Sequence, residues 1–253
     1  MTDLALAQDL ADIADRISMS RYRQWDLVVT TKPDMSPVSD ADQAVERALR
    51  EHLQTHRPDD TLVGEEYGGA MGAGRAWIID PIDGTKNYVR GVPVWATLIA
   101  LAVDGHAQLG VVSAPALGRR WWAERGEGSW RSEFGGEPVR NQVSAVSELA
   151  DASLSYSDHE GWEWQSWLDL VDAVWRSRAY GDFWSHMMVA EGCVDIAPEP
   201  ALNLWDMAAL VPVVEEAVGR MTDWSGEPAL QGDCALTSNG LLHDEVLARL
   251  RHG

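Results

Sequence analysis

The sequence predicts an α/β (α+β) fold, and three observations carry the prediction. Apolar residues at helical spacing open the chain and recur along it. Between them lie short runs rich in Val, Ile, Thr and Trp, bounded by Gly, Pro, Asn and Asp. From about Val143 onward short strands and helical stretches alternate. With 253 residues, 45% of them hydrophobic, the chain can bury a sizeable core as one large domain or two closely packed halves. No repeat, low-complexity tract or linker divides it. We place the junction of two subdomains sharing one core near residues 135–145, with 1–140 as the N-terminal α+β part and 141–253 as the C-terminal α/β part.

In chain order, Leu4, Ala7, Ala11, Ala14 and Ile17 share one helical face, so Thr2 to about Tyr22 reads as a helix capped by Thr2 or Asp3. Residues 23 to 38 are polar, carry Pro33 and Pro37, and read as a loop or short hairpin. Ser39 opens a second helix, with Asp42 three residues on completing a capping box and Val45, Leu49 and Leu53 forming its stripe. Thr61–Val63 and Ala76–Ile79 read as strands, the second buried and running into Asp80. Val94–Val103 and Gln108–Ala114 form a strand pair across an Asp104-Gly105 turn, and Trp121–Arg131 a further pair around Gly126 and Gly128. Beyond these, Ala152–Tyr156, Arg178–Ala179 and Val194–Ala197 read as strands. Trp162–Ser177, Phe183–Glu191, Asp206–Val218 and His243–His252 read as helices.

Charge and composition narrow the function. Forty acidic residues against twenty basic ones give a net charge of −20, which would repel nucleic acid. The same balance suits divalent cations or a cationic ligand, and equally suits plain solubility. No run of about 18 apolar residues offers a membrane span. The Met1-Thr2-Asp3-Leu4 start lacks the basic and apolar regions of a signal peptide, so the cytoplasm is the expected location. Cys193 and Cys234 are too few for a disulfide framework or a Cys-type zinc site. The number of Trp residues, 13, carries no functional reading, and the run Trp162, Trp164 and Trp167 fits a core, an interface or a substrate-pocket wall.

The chemistry gathers in Ile78-Ile79-Asp80-Pro81-Ile82-Asp83-Gly84-Thr85, where a buried strand ends and two carboxylates emerge three residues apart. Pro81 removes a ladder donor and should stop strand pairing; Gly84 permits a tight turn. Two close carboxylates and the Ile82 carbonyl suit a hard divalent cation, which takes oxygen ligands. Alone, the segment is equally explained by a helix-capping Asp and a turn Asp. The same ambiguity holds for Gly64-Glu65-Glu66 as a solvated loop, and for Asp206 and Asp40 as helix caps.

Taken together, Gly64-Glu65-Glu66, Asp80-Pro-Ile-Asp83-Gly-Thr85-Lys-Asn-Tyr88 and Trp205-Asp206-Met-Ala-Ala209 resemble the inositol monophosphatase-like family of Mg²⁺-dependent phosphatases over almost the whole chain. The resemblance implies a layered α-β-α-β-α sandwich. It implies that Glu65, Asp80, the carbonyl of Ile82, Asp83 and Asp206 hold two or three Mg²⁺ ions, with Asp80 bridging. Thr85 paired with Asp40, together with Glu65, would activate the attacking water. The N–H groups of Gly84 and Thr85 would hold the phosphate, with Asp206 also on the substrate side. A homodimer is the expected assembly. The D-x-x-D spacing departs from the D-x-D of haloacid dehalogenase-type phosphatases and favours attack by water over a phospho-Asp intermediate.

Two stretches, Thr85 to Thr97 and Arg178 to Trp184 followed by Ile196 to Pro200, look like the branch of the family that acts on histidinol phosphate. Asp182 and Glu199 then face an amine and an imidazole that can carry positive charge. Asp182 can also be a helix cap. The alternative substrate is an inositol or sugar phosphate.

Overall fold

The computed structural model describes residues 1–33 and 35–250. Helix α1 (Asp3–Arg21) begins where the Thr2 hydroxyl accepts the Ala5 N–H. Strands β1 (Val29–Thr31) and β2 (Pro37–Ser39) pair as an antiparallel hairpin. Helix α2 (Asp40–His56) opens with the expected capping box: the Ser39 hydroxyl accepts an N–H from the first turn, and the Asp42 carboxylate accepts the Ser39 N–H at 2.8 Å.

A seven-stranded sheet follows, built from β3 (Thr61–Gly64), β4 (Arg75–Asp83), β5 (Ala96–Val103), β6 (His106–Ala114), β7 (Arg119–Glu124), β8 (Gly128–Glu133) and β9 (Val139–Arg140), in sequential order. Only the β3–β4 pairing is parallel. The short helix α3 (Thr85–Arg90) leaves the end of β4. A second sheet is assembled from β10 (Ser153–Ser155), β11 (Arg176–Arg178), β12 (Ile196–Glu199), β13 (Arg220–Thr222) and β14 (Ala235–Ser238), in the order β11-β10-β12-β14-β13. Helices α4 (Trp164–Ala173), α5 (Asp182–Ala190), α6 (Leu204–Ala208), α7 (Leu210–Glu215) and α8 (His243–Leu250) complete the chain.

The period-2 alternation of β4 sorts the layers. Trp77 and Ile79 pack against Leu6, Leu10, Val45 and Leu49 of α1 and α2. Ile78 faces the other way, into the core formed with Phe183, Met187, Met207 and Val213 of α5, α6 and α7. Beyond that helical layer lies the second sheet, whose far face packs Leu154, Ile196 and Leu236 on Trp167, Leu170 and Val246 of α4 and α8. The molecule is thus an α-β-α-β-α sandwich, and the central core draws residues from both halves of the chain.

Several elements differ from expectation. Pro81 does not end β4; it falls where the pairing with β5 shifts register between Asp80 and Asp83, and pairing resumes at Asp83–Ala96. Helix α4 stops at Ala173, short of Ser177, because Arg176–Arg178 join the sheet beside β10. The single helix expected from Asp206 to Val218 is two, α6 and α7: Pro212 lacks the N–H that would bond the Ala208 carbonyl, and the break falls at Ala209. Strands β13 and β14, of three and four residues, gave no usable alternation. The end of the expected helix His243–His252 lies outside the described residues beyond Leu250.

Candidate active site

The register shift in β4 is what brings the two acids of one strand to one place. Asp80, 2% exposed, points to the α5–α7 side, and its carboxylate accepts the Ile82 N–H at 2.9 Å. The Thr97 hydroxyl on β5 donates to the Pro81 carbonyl at 2.8 Å and pins the shifted backbone. Asp83 then swings toward α5, where its carboxylate accepts the Phe183 N–H at 2.9 Å and so caps the helix from another part of the chain. Gly84 follows in the left-handed conformation (φ 82°), which turns the chain into α3 and sets the N–H groups of Gly84 and Thr85 at its start.

Asp206 arrives from the second half. It is the third residue of α6, and its carboxylate accepts the Asn203 N–H at 2.7 Å in a capping box. One carboxylate oxygen from each of Asp80, Asp83 and Asp206 lies within 4.8 Å of the others. Glu65 and Asp206 are also close enough to Asp80 for their charges to act on it. Glu65 stands just past β3, with its N–H on the Ile79 carbonyl at 3.3 Å.

Four acids this close, removed from water, resist ionisation. Burial, then the charges of Glu65, Asp83, Asp206 and Asp42, holds Asp80 well above the ordinary carboxylate range. Burial and the neighbouring Asp182 and Asp206 do the same for Asp83. Asp206 is pushed up to about 6, chiefly by burial, and Glu65 is raised by burial although Lys32 opposes it. Such a donor set fits a hard divalent cation, whose charge would offset the repulsion. Lys32, on the β1–β2 hairpin, sits 2.7 Å from a carboxylate oxygen of each of Glu65 and Glu66.

Thr85 corrects one expectation. Its hydroxyl lies 3.1 Å from Asp42 Oδ1 and 2.9 Å from the Ile82 carbonyl, and its expected partner Asp40 is elsewhere. Asp40 starts α2, and its carboxylate accepts the Arg21 guanidinium at 2.8 Å in a part-buried pair. Asp42 folds back over the helix start to reach Ser39, and that same inward turn presents its second oxygen to Thr85. Burial raises the Asp42 carboxyl above its usual range.

Beside the acids opens a cavity of 260 Å³ lined by Asp83, Lys86, Asp182, His186, Glu199 and Asp206. Glu199, 5% exposed at the end of β12, is pushed up to about 8, mainly by burial. Asp182 is pushed up to about 6, again mainly by burial. Asp182 does not cap α5 with its side chain; Gly181 precedes the helix and the Asp182 carboxylate instead accepts the Asn87 amide at 2.8 Å. Its backbone holds φ at +47°, a strained value for a residue with a side chain. The Ser157 hydroxyl ties the cavity together: it donates to Glu199 at 2.6 Å and accepts the Asp182 N–H at 2.8 Å. His186, bonded to Thr237 at 2.7 Å, is lowered to about 4 by burial and stands as a neutral wall residue. A larger groove of 830 Å³ lies between α1 and β7, away from the acids, and its Arg120 is already paired with Asp12 and Asp15.

The structure therefore brings Glu65, Asp80, Ile82, Asp83, Thr85 and Asp206 together, sets Asp182 and Glu199 around the adjoining cavity, and leaves Asp40 outside. Lys32, Asp42 and Ser157 were missed as site residues. Asp42 carried a signal, but a capping box accounted for it fully; Lys32 and Ser157, in polar loop sequence, carried none.

Comparison with known proteins matches this architecture closely. The profile of the inositol monophosphatase family matches residues 2–252. The histidinol-phosphatase of Mycobacterium tuberculosis is 55% identical over 256 residues, covering 99% of this chain and 98% of the relative. The histidinol-phosphatase of Streptomyces coelicolor is 55% identical over 258 residues, covering 99% and 97%. Among solved structures, a Thermotoga maritima IMPase superposes with a TM-score of 0.89 at 31% identity, covering 100% of this chain and 98% of that one.

Proposed function

This chain belongs to the inositol monophosphatase family, and from that footing we propose that it hydrolyses L-histidinol phosphate to L-histidinol and phosphate, a step of histidine biosynthesis. The observation that carries the reading is the convergence of Asp80, Asp83 and Asp206 beside a cavity whose other acids, Asp182 and Glu199, are poised to meet a cation. Two relatives at 55% identity bear the histidinol-phosphatase name.

Glu65, Asp80, the Ile82 carbonyl, Asp83 and Asp206 would hold Mg²⁺, two or three ions per site. When bound, such ions supply charge neutralisation and Lewis acidity, which make water a stronger acid and stabilise a departing alkoxide. The chain's own groups do the rest. Thr85, held by Asp42, orients and takes part in deprotonating the attacking water, and the Asp42 carboxylate, with its raised proton affinity, is suited to receive that proton. The Gly84 and Thr85 N–H groups face the phosphate at the start of α3. Asp182 and Glu199 recognise the ammonium and imidazolium groups of the substrate; a cation beside them favours their ionised forms. An inositol ring presents neutral hydroxyls and draws no such benefit.

The remaining parts of the reading are one catalytic domain fused from residues 1–140 and 141–253, a homodimer, and a cytoplasmic location. Among the described residues no helix is long and apolar enough to cross a membrane. The deciding experiment compares phosphate release from histidinol phosphate and inositol 1-phosphate, with and without Mg²⁺. Preference for histidinol phosphate with strict Mg²⁺ dependence is expected. Preference for the inositol ester overturns the substrate, and full release in EDTA overturns the metal.

A further inference from the structure

Glu46 lies on the inner face of α2 with a side chain wholly hidden from solvent. A buried charge persists only where donors surround it. Here one carboxylate oxygen accepts the Glu66 N–H at 2.7 Å; the other accepts the Tyr67 N–H at 3.2 Å and the Arg50 guanidinium at 2.8 Å. Arg50 in turn donates to the Gly68 carbonyl at 2.6 Å, and the Gly64 N–H donates to that same carbonyl at 3.1 Å. Two side chains one helical turn apart thus grip the arm of the loop from Glu66 to Gly68, and the Gly64–Gly68 backbone bond ties the other arm to it. Gly64 itself is required by this grip: a Cβ there would lie 2.0 Å from Glu46 Oε1.

Glu65 sits at the centre of the gripped loop. Its own N–H is on Ile79, its predecessor is tied to Gly68, and its successor is tied to Glu46. The backbone on either side is fixed, so its carboxylate is delivered to Asp80. We propose that Glu46, backed by Arg50, is the positioning residue for Glu65 and thereby sets the affinity of the site for divalent metal. The inference rests on the assignment of Glu65 as a metal ligand made above. Glu46 touches neither substrate nor metal in this reading; it acts through the loop, as groups that orient metal ligands do.

The test is calorimetric Mg²⁺ titration of the purified full-length wild type, Glu46→Gln and Arg50→Met, with thermal melts in EDTA beside it. Gln presents an N–H₂ where the second backbone N–H needs an acceptor, so the loop loosens without a change of volume. Glu46→Gln is expected to weaken Mg²⁺ binding about tenfold to a hundredfold. The Mg²⁺ concentration for half-maximal phosphate release should rise in step, with kcat restored at saturating Mg²⁺. Arg50→Met, a part-exposed site, should show the same change at smaller size, and it decides the matter if Glu46→Gln does not fold. A purely structural Glu46 would lower the melting temperature and leave Mg²⁺ affinity alone. Folded variants that bind Mg²⁺ as tightly as wild type overturn the inference, whereas a wild type that binds no Mg²⁺ overturns the metal assignment beneath it.

Discussion

Replacing Glu199 by Gln should make the ligand-free protein more stable and a poorer enzyme, and both effects can be sized from its surroundings. The carboxyl has a pKa of about 8 in the folded protein against an ordinary 4.5, chiefly from burial. The folded state therefore holds a proton that the unfolded state has released across that interval. Stability associated with this group is full below about pH 4.5 and is lost as pH rises through 8. At pH 7 the loss is on the order of 3 kcal/mol, from 1.36 kcal/mol per pH unit. A Gln carbonyl can still accept the Ser157 hydroxyl, so the existing 2.6 Å contact need not be lost. For a domain of this size the gain corresponds to a melting temperature roughly 6–12 °C higher at pH 7, and to a flatter stability profile between pH 5 and 8. Against this, a charge-assisted bond to a cationic substrate contributes about 1.5–3 kcal/mol, so KM for histidinol phosphate should rise about tenfold to a hundredfold. The assays are melts in EDTA across that pH range, and steady-state phosphate release with histidinol phosphate and inositol 1-phosphate. A variant that melts lower at pH 8, or whose KM for histidinol phosphate stays within a factor of about two, refutes the reasoning.

Three further perturbations probe the same site. Asp83→Asn should abolish turnover yet melt in EDTA at or above the wild-type temperature, because an Asn carbonyl can accept the Phe183 N–H while repulsion from Asp182 and Asp206 disappears; a lower melting temperature would mark a structural Asp. Asp42→Asn should cost about 10²–10⁴ in kcat, the range of a lost proton acceptor, while Asp40→Asn should cost little, its contact being a partly exposed pair with Arg21; equal losses would return the role to Asp40. Ser157→Ala should raise KM for histidinol phosphate more than it lowers kcat, and should destabilise by about 1–3 kcal/mol, since the Asp182 N–H loses its acceptor; an unchanged KM would reduce Ser157 to a packing residue.

The layered fold was legible because its signals are local. The apolar stripe of α2, the Asp104-Gly105 turn and the buried run into Asp80 each declare themselves within a few residues. The acids were legible for a different reason: they fall in three short motifs whose order, but not whose geometry, is written in the chain. Geometry was the part that escaped. Nothing in the sequence around Pro81 says whether pairing ends there or merely slips register, and the slip is what turns Asp83 toward Phe183. Asp40 and Asp42 are two residues apart on one helix start, so both were compatible with a hydrogen bond to Thr85. Only the inward fold of the capping-box side chain separates them. Lys32 and Ser157 act across 33 and 42 residues of chain, on Glu65 and Glu199, with no periodicity to announce either.

The charge repulsion in the site is shared between the two halves of the chain. Asp80 and Asp83 come from β4 of the first sheet, while Asp182, Glu199 and Asp206 come from the second half of the chain. The high proton affinities of Asp83 and Asp206 arise from burial together with charges that the other half contributes. The Asp83–Phe183 bond makes the same junction from the attractive side, joining the end of β4 to the start of α5. A cation bound among these acids would therefore strengthen the junction itself, and its release would weaken it. Mg²⁺ should accordingly stabilise the whole molecule by RT ln(1 + [Mg²⁺]/Kd) for a single site, and raise its melting temperature as one transition. A Mg²⁺-insensitive melt, or one in which only part of the chain gains stability, would show that the halves are held together by the shared core alone.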